Sequence, residues 1–389
     1  KNREFSEAVS LFDNQKYTAA QQKFIHIASS DMYSQTLRVD AEYYTAVCAL
    51  RLFNGDAEIL IKQFIKLHPE STRIFHAYFE YANYLFREQK YPESLIWYEL
   101  VDIKKFNNVE ISEYFYKIGY SYFKNNDYAK AKPFFKEVKD SKSVYAQNAL
   151  FYFSYLEYID KQYDSALKGF EFLADSTMFS PVVPPYMCQI YYIQKQYDKV
   201  IQYARTIEGI VNPQQLPEVY RVLAGAYFKT LQFNSALPYY EKYIQASPSP
   251  AKEDLYELGY LYYRDGKYEK AADLFQQVTS YNDTIAQNAY YHLGDCYVKL
   301  GDKDKARNAF MAAMQYSVFP SITEDATFIH AKLIYELSYA PFNEAITATQ
   351  AFLTKYPKSK YKDEANSLLV KIFMSSKNYK DALVSLEQI

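Results

Sequence analysis

Eight side chains in this sequence are of the types that carry nucleophilic or metal chemistry: Cys48, Cys188 and Cys296, and His26, His68, His76, His292 and His330. Structural zinc and redox sites draw on closely spaced pairs of such residues. Here the cysteines lie more than 100 residues apart, and no two histidines stand at i and i+4. Cys188 and Cys296 fall at or near small-residue positions of first helices, where a thiol acts as a small apolar group. Gly-x-Ser-x-Gly, a phosphate-cradling Gly loop and His-Glu-x-x-His are all absent from the sequence, and each of those chemistries needs its residues at a set spacing. No catalytic residue, cofactor-binding residue, cofactor or metal ligand is therefore expected, and the chain reads as non-enzymatic. What remains is contact chemistry, because the chain carries 44 Tyr and 27 Phe, and Tyr joins a large stiff ring to a hydroxyl that can stay hydrated.

The elements that position those rings are repeats. An aromatic is followed three residues later by a small residue and four later by another large one, clearest in Tyr128-Ala131-Phe135, Tyr163-Ala166-Phe170, Phe233-Ala236-Tyr240 and Tyr268-Ala271-Phe275. With the first aromatic as marker, copies stand at Tyr17, Tyr91, Tyr128, Tyr163, Tyr197, Phe233, Tyr268, Phe342 and Tyr379, with degenerate copies near Asn54 and Lys303, spaced by 34 to 39 residues. Such a period is the signature of a solenoid of supersecondary units. Ala146-Gln147-Asn148-Ala149 recurs as Ala286-Gln287-Asn288-Ala289, at one repeat position four repeats on.

Inside a copy the spacing is helical. Leu255, Leu258, Gly259 and Tyr262 share one face of a first helix, and Ala271, Phe275 and Val278 one face of a second. Asp265-Gly266-Lys267 supplies the turn. Gly259 and Ala271 let two backbones approach, and Pro69, Pro248 and Pro357 end second helices. The expected fold is an all-α, right-handed superhelical solenoid of about eleven antiparallel helix pairs. Repeats 1 to 5 are expected over residues 1–175 and repeats 6 to 11 over 176–389, with a semi-rigid joint at 178–185, where three Pro stand in five residues.

The order of a large residue, Leu293-Gly294, Tyr297, Ala306, Phe310 and Ala313 resembles the tetratricopeptide repeat family, and the resemblance runs over essentially the whole chain. It implies that one face of each first helix lines a concave groove, at positions 12, 8 and 5 residues before the marker. Those positions read Phe79, Asn83 and Phe86; Tyr116, Tyr120 and Phe123; Phe151, Tyr155 and Tyr158; and Tyr256, Tyr260 and Tyr263. The later copies carry His330, Ile334 and Leu337, then Ser367, Lys371 and Met374. The twelve residues from Phe79 to Tyr263, and not those of the later copies, are the expected partner-binding set, taking an extended or helical segment of a protein or peptide. A clamp for a terminal carboxylate is not expected, since Asn83 and Arg221 are isolated. In the alternative reading, a carbohydrate-binding cell-envelope protein stacks sugars on the same rings. A third reading makes the chain a subunit or regulator of an enzyme whose catalytic domain lies elsewhere.

A net charge of −2 and a pI near 6.3 disfavour a nucleic-acid groove, and no apolar run reaches the length of a transmembrane segment. Phe352 to Ser359 and Phe64 to Ser71 follow an F-x4-P-x-S ending that resembles bacterial envelope repeat proteins. That resemblance implies a bacterial periplasmic or outer-membrane-associated location, in a membrane-associated complex, with a cytoplasmic scaffold as the alternative. Ile389 falls at a core position of the last helix, which suggests further domains of a longer chain, or an oligomer contact, beyond it.

Overall fold

The computed structural model describes residues 2–281, 283–339 and 341–389, and all its regular elements are helical. The chain forms two compact units, the first ending at Phe179 and the second running from Ser180 to Ile389. The first holds α1 (Asn2–Asp13), α2 (Tyr17–Ser29), α3 (Gln35–Leu52), α4 (Ala57–Leu67), α5 (Ile74–Arg87), α6 (Tyr91–Tyr98), α7 (Asn108–Lys124), α8 (Tyr128–Lys139), α9 (Ala146–Ile159) and α10 (Tyr163–Ala174). The second holds α11 (Pro184–Ile193), α12 (Tyr197–Ile207), α13 (Leu216–Lys229), α14 (Phe233–Ala246), α15 (Lys252–Arg264), α16 (Tyr268–Thr279), α17 (Thr284–Leu300), α18 (Lys303–Ala313), α19 (Pro320–Leu337), α20 (Asn343–Lys355), α21 (Lys362–Ser375) and α22 (Tyr379–Leu386). Paired in order, these make eleven hairpins among the described residues, an all-α repeat solenoid in which, within each unit, each helix packs on its neighbours in the chain.

The marker aromatic is the first residue of the second helix in eight hairpins, at Tyr17, Tyr91, Tyr128, Tyr163, Tyr197, Phe233, Tyr268 and Tyr379. Three residues on, Ala20, Ala131, Ala166, Ala236 and Ala271 are fully buried, as is Ala306 after Lys303. Seven residues on stands the ring that fills seven of the hairpins: Phe24, Tyr98, Phe135, Phe170, Tyr240, Phe275 and Phe310 are all without exposed surface. Burying one such side chain stabilises by about 1.5–3 kcal/mol, so this single column accounts for much of the core. The first helix makes room for it. A Cβ on Gly259 would come within 3.0 Å of the Phe275 ring, and one on Gly294 within 2.8 Å of Phe310. The glycines thus admit rings as well as close backbones.

Prolines close the second helices as expected, with Pro69, Pro248 and Pro357 each two residues beyond the last turn of α4, α14 and α20. The segment 178–185 carries no continuous helix. Val183 caps α11 while Pro184 and Pro185 occupy its first turn, where a missing N–H breaks no hydrogen bond. Ile389 follows α22 and is half-exposed rather than core.

The turn inside each hairpin is uniform where the residues are not. Two residues before the second helix the backbone enters the left-handed region in nine hairpins, at Gln15, Gln89, Asn126, Lys161, Lys195, Leu231, Gly266, Gly301 and Lys377. Only two of these are glycine, although a side chain there costs roughly 1–2 kcal/mol. Leu231, at φ 60° and 72% exposed, has little packing to lose. Leu231→Gly is expected to stabilise the chain by about 1 kcal/mol, read as a higher urea midpoint with unchanged slope; a lower midpoint would show that the strain is not there.

Candidate functional site

Ten of the twelve predicted residues lie half-buried on first helices, where they meet as ring contacts running from repeat to repeat. In the first unit Phe86 lies 5.5 Å from Tyr120, and Tyr120 lies 6.1 Å from Tyr116 and 6.5 Å from Phe123. Phe123 contacts Tyr155 at 5.9 Å, and Tyr155 stacks on Phe151 at 6.4 Å. Tyr158 stands at the end of α9 against Tyr163, at 6.0 Å. These separations fit the edge-to-face and offset geometries that aromatic pairs prefer. In the second unit Tyr260 contacts Tyr263 at 6.4 Å and Phe228 and Phe233 at 5.9 and 6.2 Å, while Tyr256 packs on Phe275 at 5.6 Å.

Two predicted residues are core instead. Phe79 is 3% exposed and packs on Tyr98 and Phe106. Asn83 is 2% exposed. Its Oδ1 accepts the Tyr98 hydroxyl at 2.7 Å and Lys117 Nζ at 3.1 Å, and its Nδ2 donates to Glu113 at 3.3 Å. At the start of α5 the neighbouring turn 101–106 folds over the register position that Phe79 occupies, so no surface is left there for a partner.

Further contacts between repeats come from a position outside the predicted set, eleven residues before the marker. It holds Glu80, Lys117, Tyr152, Glu257 and His292, and each reaches the first helix of the repeat before. Glu80 takes both bonds of the Arg51 fork at 2.6 and 2.7 Å. Lys117 bonds Asn83, and Lys229 bonds Glu257 at 2.7 Å. Tyr152 meets Tyr120 at 5.2 Å and Phe123 at 4.9 Å. His292 meets Tyr256, Tyr260 and Tyr263 at 5.5 to 6.0 Å. Five recurrences at one offset were the available signal.

Burial raises the pKa of the Tyr116, Tyr152 and Tyr256 hydroxyls and lowers that of His292, so at neutral pH these groups are neutral. Cations edge the rows. Lys124 lies 5.4 Å over the Tyr120 ring, Lys117 lies 5.6 Å over Phe86, and Arg264 lies 4.2 Å over Phe233, within cation–π range. The rows therefore offer ring faces, neutral hydroxyls and flanking positive charge, which is a surface for contact rather than for bond-making. The three thiols are buried and pushed up to about 12 by that burial, far from the thiolate that reactivity needs. Among the described residues no three His, Cys, Asp or Glu side chains gather as a metal site, and no helix is long and apolar enough to cross a membrane.

Residues 112–144 match the family described as tetratricopeptide repeat, and residues 229–313 the family described as anaphase-promoting complex, cyclosome, subunit 3. No curated protein matches the chain. Among solved structures, a tetratricopeptide repeat protein from Parabacteroides merdae aligns over 67% of this chain and 98% of its own, at 16% identity and TM-score 0.39. Pseudomonas aeruginosa PilF aligns over 53% and 91%, at 14% identity and TM-score 0.42. Human IFIT1 aligns over 97% and 93%, at 17% identity and TM-score 0.32. The matched repeat residues cover α7 and α8, whose buried Ala131 and Phe135 recur in hairpin after hairpin along both units: residues 112–144 match a tetratricopeptide repeat, and the other hairpins are built on the same pattern.

Proposed function

We propose that this chain is a non-catalytic scaffold that holds a segment of a protein partner against the aromatic rows of its first helices, the faces that line the concave side in this family. Tetratricopeptide repeats serve generally as protein-binding modules, and their first helices present the binding side chains. The observation that carries the reading here is the continuity of half-buried rings from Phe86 on α5 through Tyr120 and Phe123 on α7 to Tyr155 and Phe151 on α9. A row crossing three repeats lets a linear segment dock several side chains in succession, and rigid aromatic rings are the side chains that dominate binding energy at such surfaces.

The test is affinity capture with the wild-type chain beside a Tyr120→Ala/Tyr155→Ala variant whose helicity and melting temperature are recorded. Tyr120 touches five other rings, so Tyr120→Phe, which keeps the ring and removes the hydroxyl, is run alongside. A partner held by the wild type and at least about tenfold weaker on the still-folded double variant is the expected result. A partner held equally by both would remove the row from the binding surface.

A further inference from the structure

The hairpin α9–α10 departs from its neighbours at one position. Six residues after the marker, six of the eleven repeats place a large apolar side chain on the second helix, Leu60, Trp97, Phe134, Tyr203, Tyr239 and Leu274, among them both hairpins that flank this one in the chain. Four of these are rings packed on rings of their own first helix. Phe134 meets Phe115 and Tyr122 at 6.0 and 5.8 Å, and Tyr239 meets Tyr220 and Tyr227, both at 5.9 Å. Trp97 packs on Tyr81 at 4.9 Å, and Tyr203 on Tyr191 at 6.1 Å. In α10 the position is Gly169, and the first-helix positions that face the ring elsewhere carry Leu150 and Glu157. A glycine inside a helix costs roughly 0.5–1 kcal/mol relative to alanine. Here no side chain is tolerated without a shift, because a Cβ on Gly169 would meet Ser154 Oγ at 1.8 Å and Leu150 Cδ1 at 3.3 Å.

Where that ring is missing there is a cleft of about 720 Å³ between α8, the turn after it, α9 and α10. No residue of the aromatic row lines it. Its floor is apolar, built from Leu150, Phe153 and Phe172, and Phe172 is 70% exposed. Ser154 lines it too, 1% exposed and with no hydrogen-bond partner for its hydroxyl, although buried polar groups are nearly always paired. The rim is basic. Lys139 lies 5.3 Å over the Phe153 ring and pairs with Asp140 at 2.5 Å. Lys142 and Lys168 also line the cleft, both exposed and neither in an ion pair among the described residues.

We infer that the cleft over Gly169 is a second docking site, separate from the aromatic row, that takes an aromatic side chain from an acidic peptide segment of a partner. The incoming ring occupies the place filled from within the chain in the neighbouring hairpins, against Phe153 and Phe172. The flanking carboxylates of the segment pair with Lys142 and Lys168. A peptide fits better than an acyl chain, because Ser141, Ser143, Ser165 and Gln147 make one wall polar; peptide groups can bond to that wall and methylenes cannot.

Fluorescence anisotropy of a fluorescein-labelled Glu-Asp-Phe-Asp-Glu peptide on the full chain tests this. Saturable binding is expected, lost when the peptide's Phe is replaced by Ala or its acids by Lys. Lys142→Glu/Lys168→Glu is expected to weaken it about tenfold or more, and Ser165→Trp, an exposed position on the cleft wall, to block it without touching the core. The folded Tyr120→Ala/Tyr155→Ala variant, which removes two rings of the row, is expected to leave it unchanged, which separates this site from the aromatic row. No saturable binding, equal binding of the acidic and basic peptides, or binding indifferent to both cleft variants would overturn the proposal. So would oleate occupying the cleft while the peptide does not, since the occupant would then be an acyl carboxylate.

Discussion

Asn83→Ala is expected to cost about 2–4 kcal/mol of stability, because it strands two buried donors at once. The Tyr98 hydroxyl and Lys117 Nζ both donate to Asn83 Oδ1, and Tyr98 is wholly inaccessible to water. Lys117 keeps Glu113 at 2.5 Å, so its charge stays paired, but burial already holds its pKa below the usual lysine value. The loss of one acceptor therefore falls on a group with little solvation to regain. Tyr98→Phe removes a single donor and leaves Asn83 bonded to Lys117, so it is expected to cost about 1 kcal/mol. Thermal or urea melts of the two variants would rank them in that order. Equal midpoints for wild type and Asn83→Ala would mean that the residue is not structural, and would return it to the binding surface where repeat register alone places it.

Asn83 also shows where the sequence is readable and where it is not. The hairpin core is legible because one offset from the marker always faces the same way: position +3 must be small, and position +7 must fill the gap, so Ala131 with Phe135 predicts Ala271 with Phe275. Register assigns faces, however, and a face is exposed only if nothing folds over it. At Phe79 and Asn83 the residues 101–106 and the side chains of α6 and α7 complete a core that the offset cannot report. The left-handed turns were legible only where glycine signals them, as at Gly266; Gln89, Lys161 and Leu231 adopt the same φ because packing of the two helices imposes it over local preference. The bridging position eleven residues before the marker stayed hidden for another reason. Glu80, Lys117, Tyr152, Glu257 and His292 share a geometric task and no chemical type, so a search by residue class passes over them.

The second unit holds a group whose ionisation works against the fold at neutral pH. Asp254, on the first turn of α15, is 7% exposed, and its Oδ2 has no hydrogen-bond partner. Burial pushes its pKa up to about 6, against the pull of Arg221 and Tyr243 and with the repulsion of Glu257 and Glu218 added. Arg221 cannot answer the charge fully, because its guanidinium is already engaged by Glu218 at 2.6 to 3.1 Å. Glu257 is held by Lys229 and the Tyr240 hydroxyl. The native carboxyl thus binds its proton more tightly than the unfolded one, near 3.9. Between about pH 4 and 6 the native state carries more protons, so stability falls as pH rises through that window and the cost is complete above it. Asp254→Asn removes the charge and keeps the shape, and is expected to stabilise the chain by about 2 kcal/mol at pH 7.5. That advantage should shrink as pH falls through 6 and approach zero below about pH 3, where the wild-type carboxyl is neutral in both states. Melting temperatures of both proteins across pH 4 to 8 would measure it, and a difference that does not change with pH would assign the effect to packing. The same helix carries Tyr256, Tyr260 and Tyr263, so the stabilised variant also tests whether that row binds from a rigid α15 or needs its first turn to yield: affinity that rises with stability supports the first, and affinity that falls supports the second.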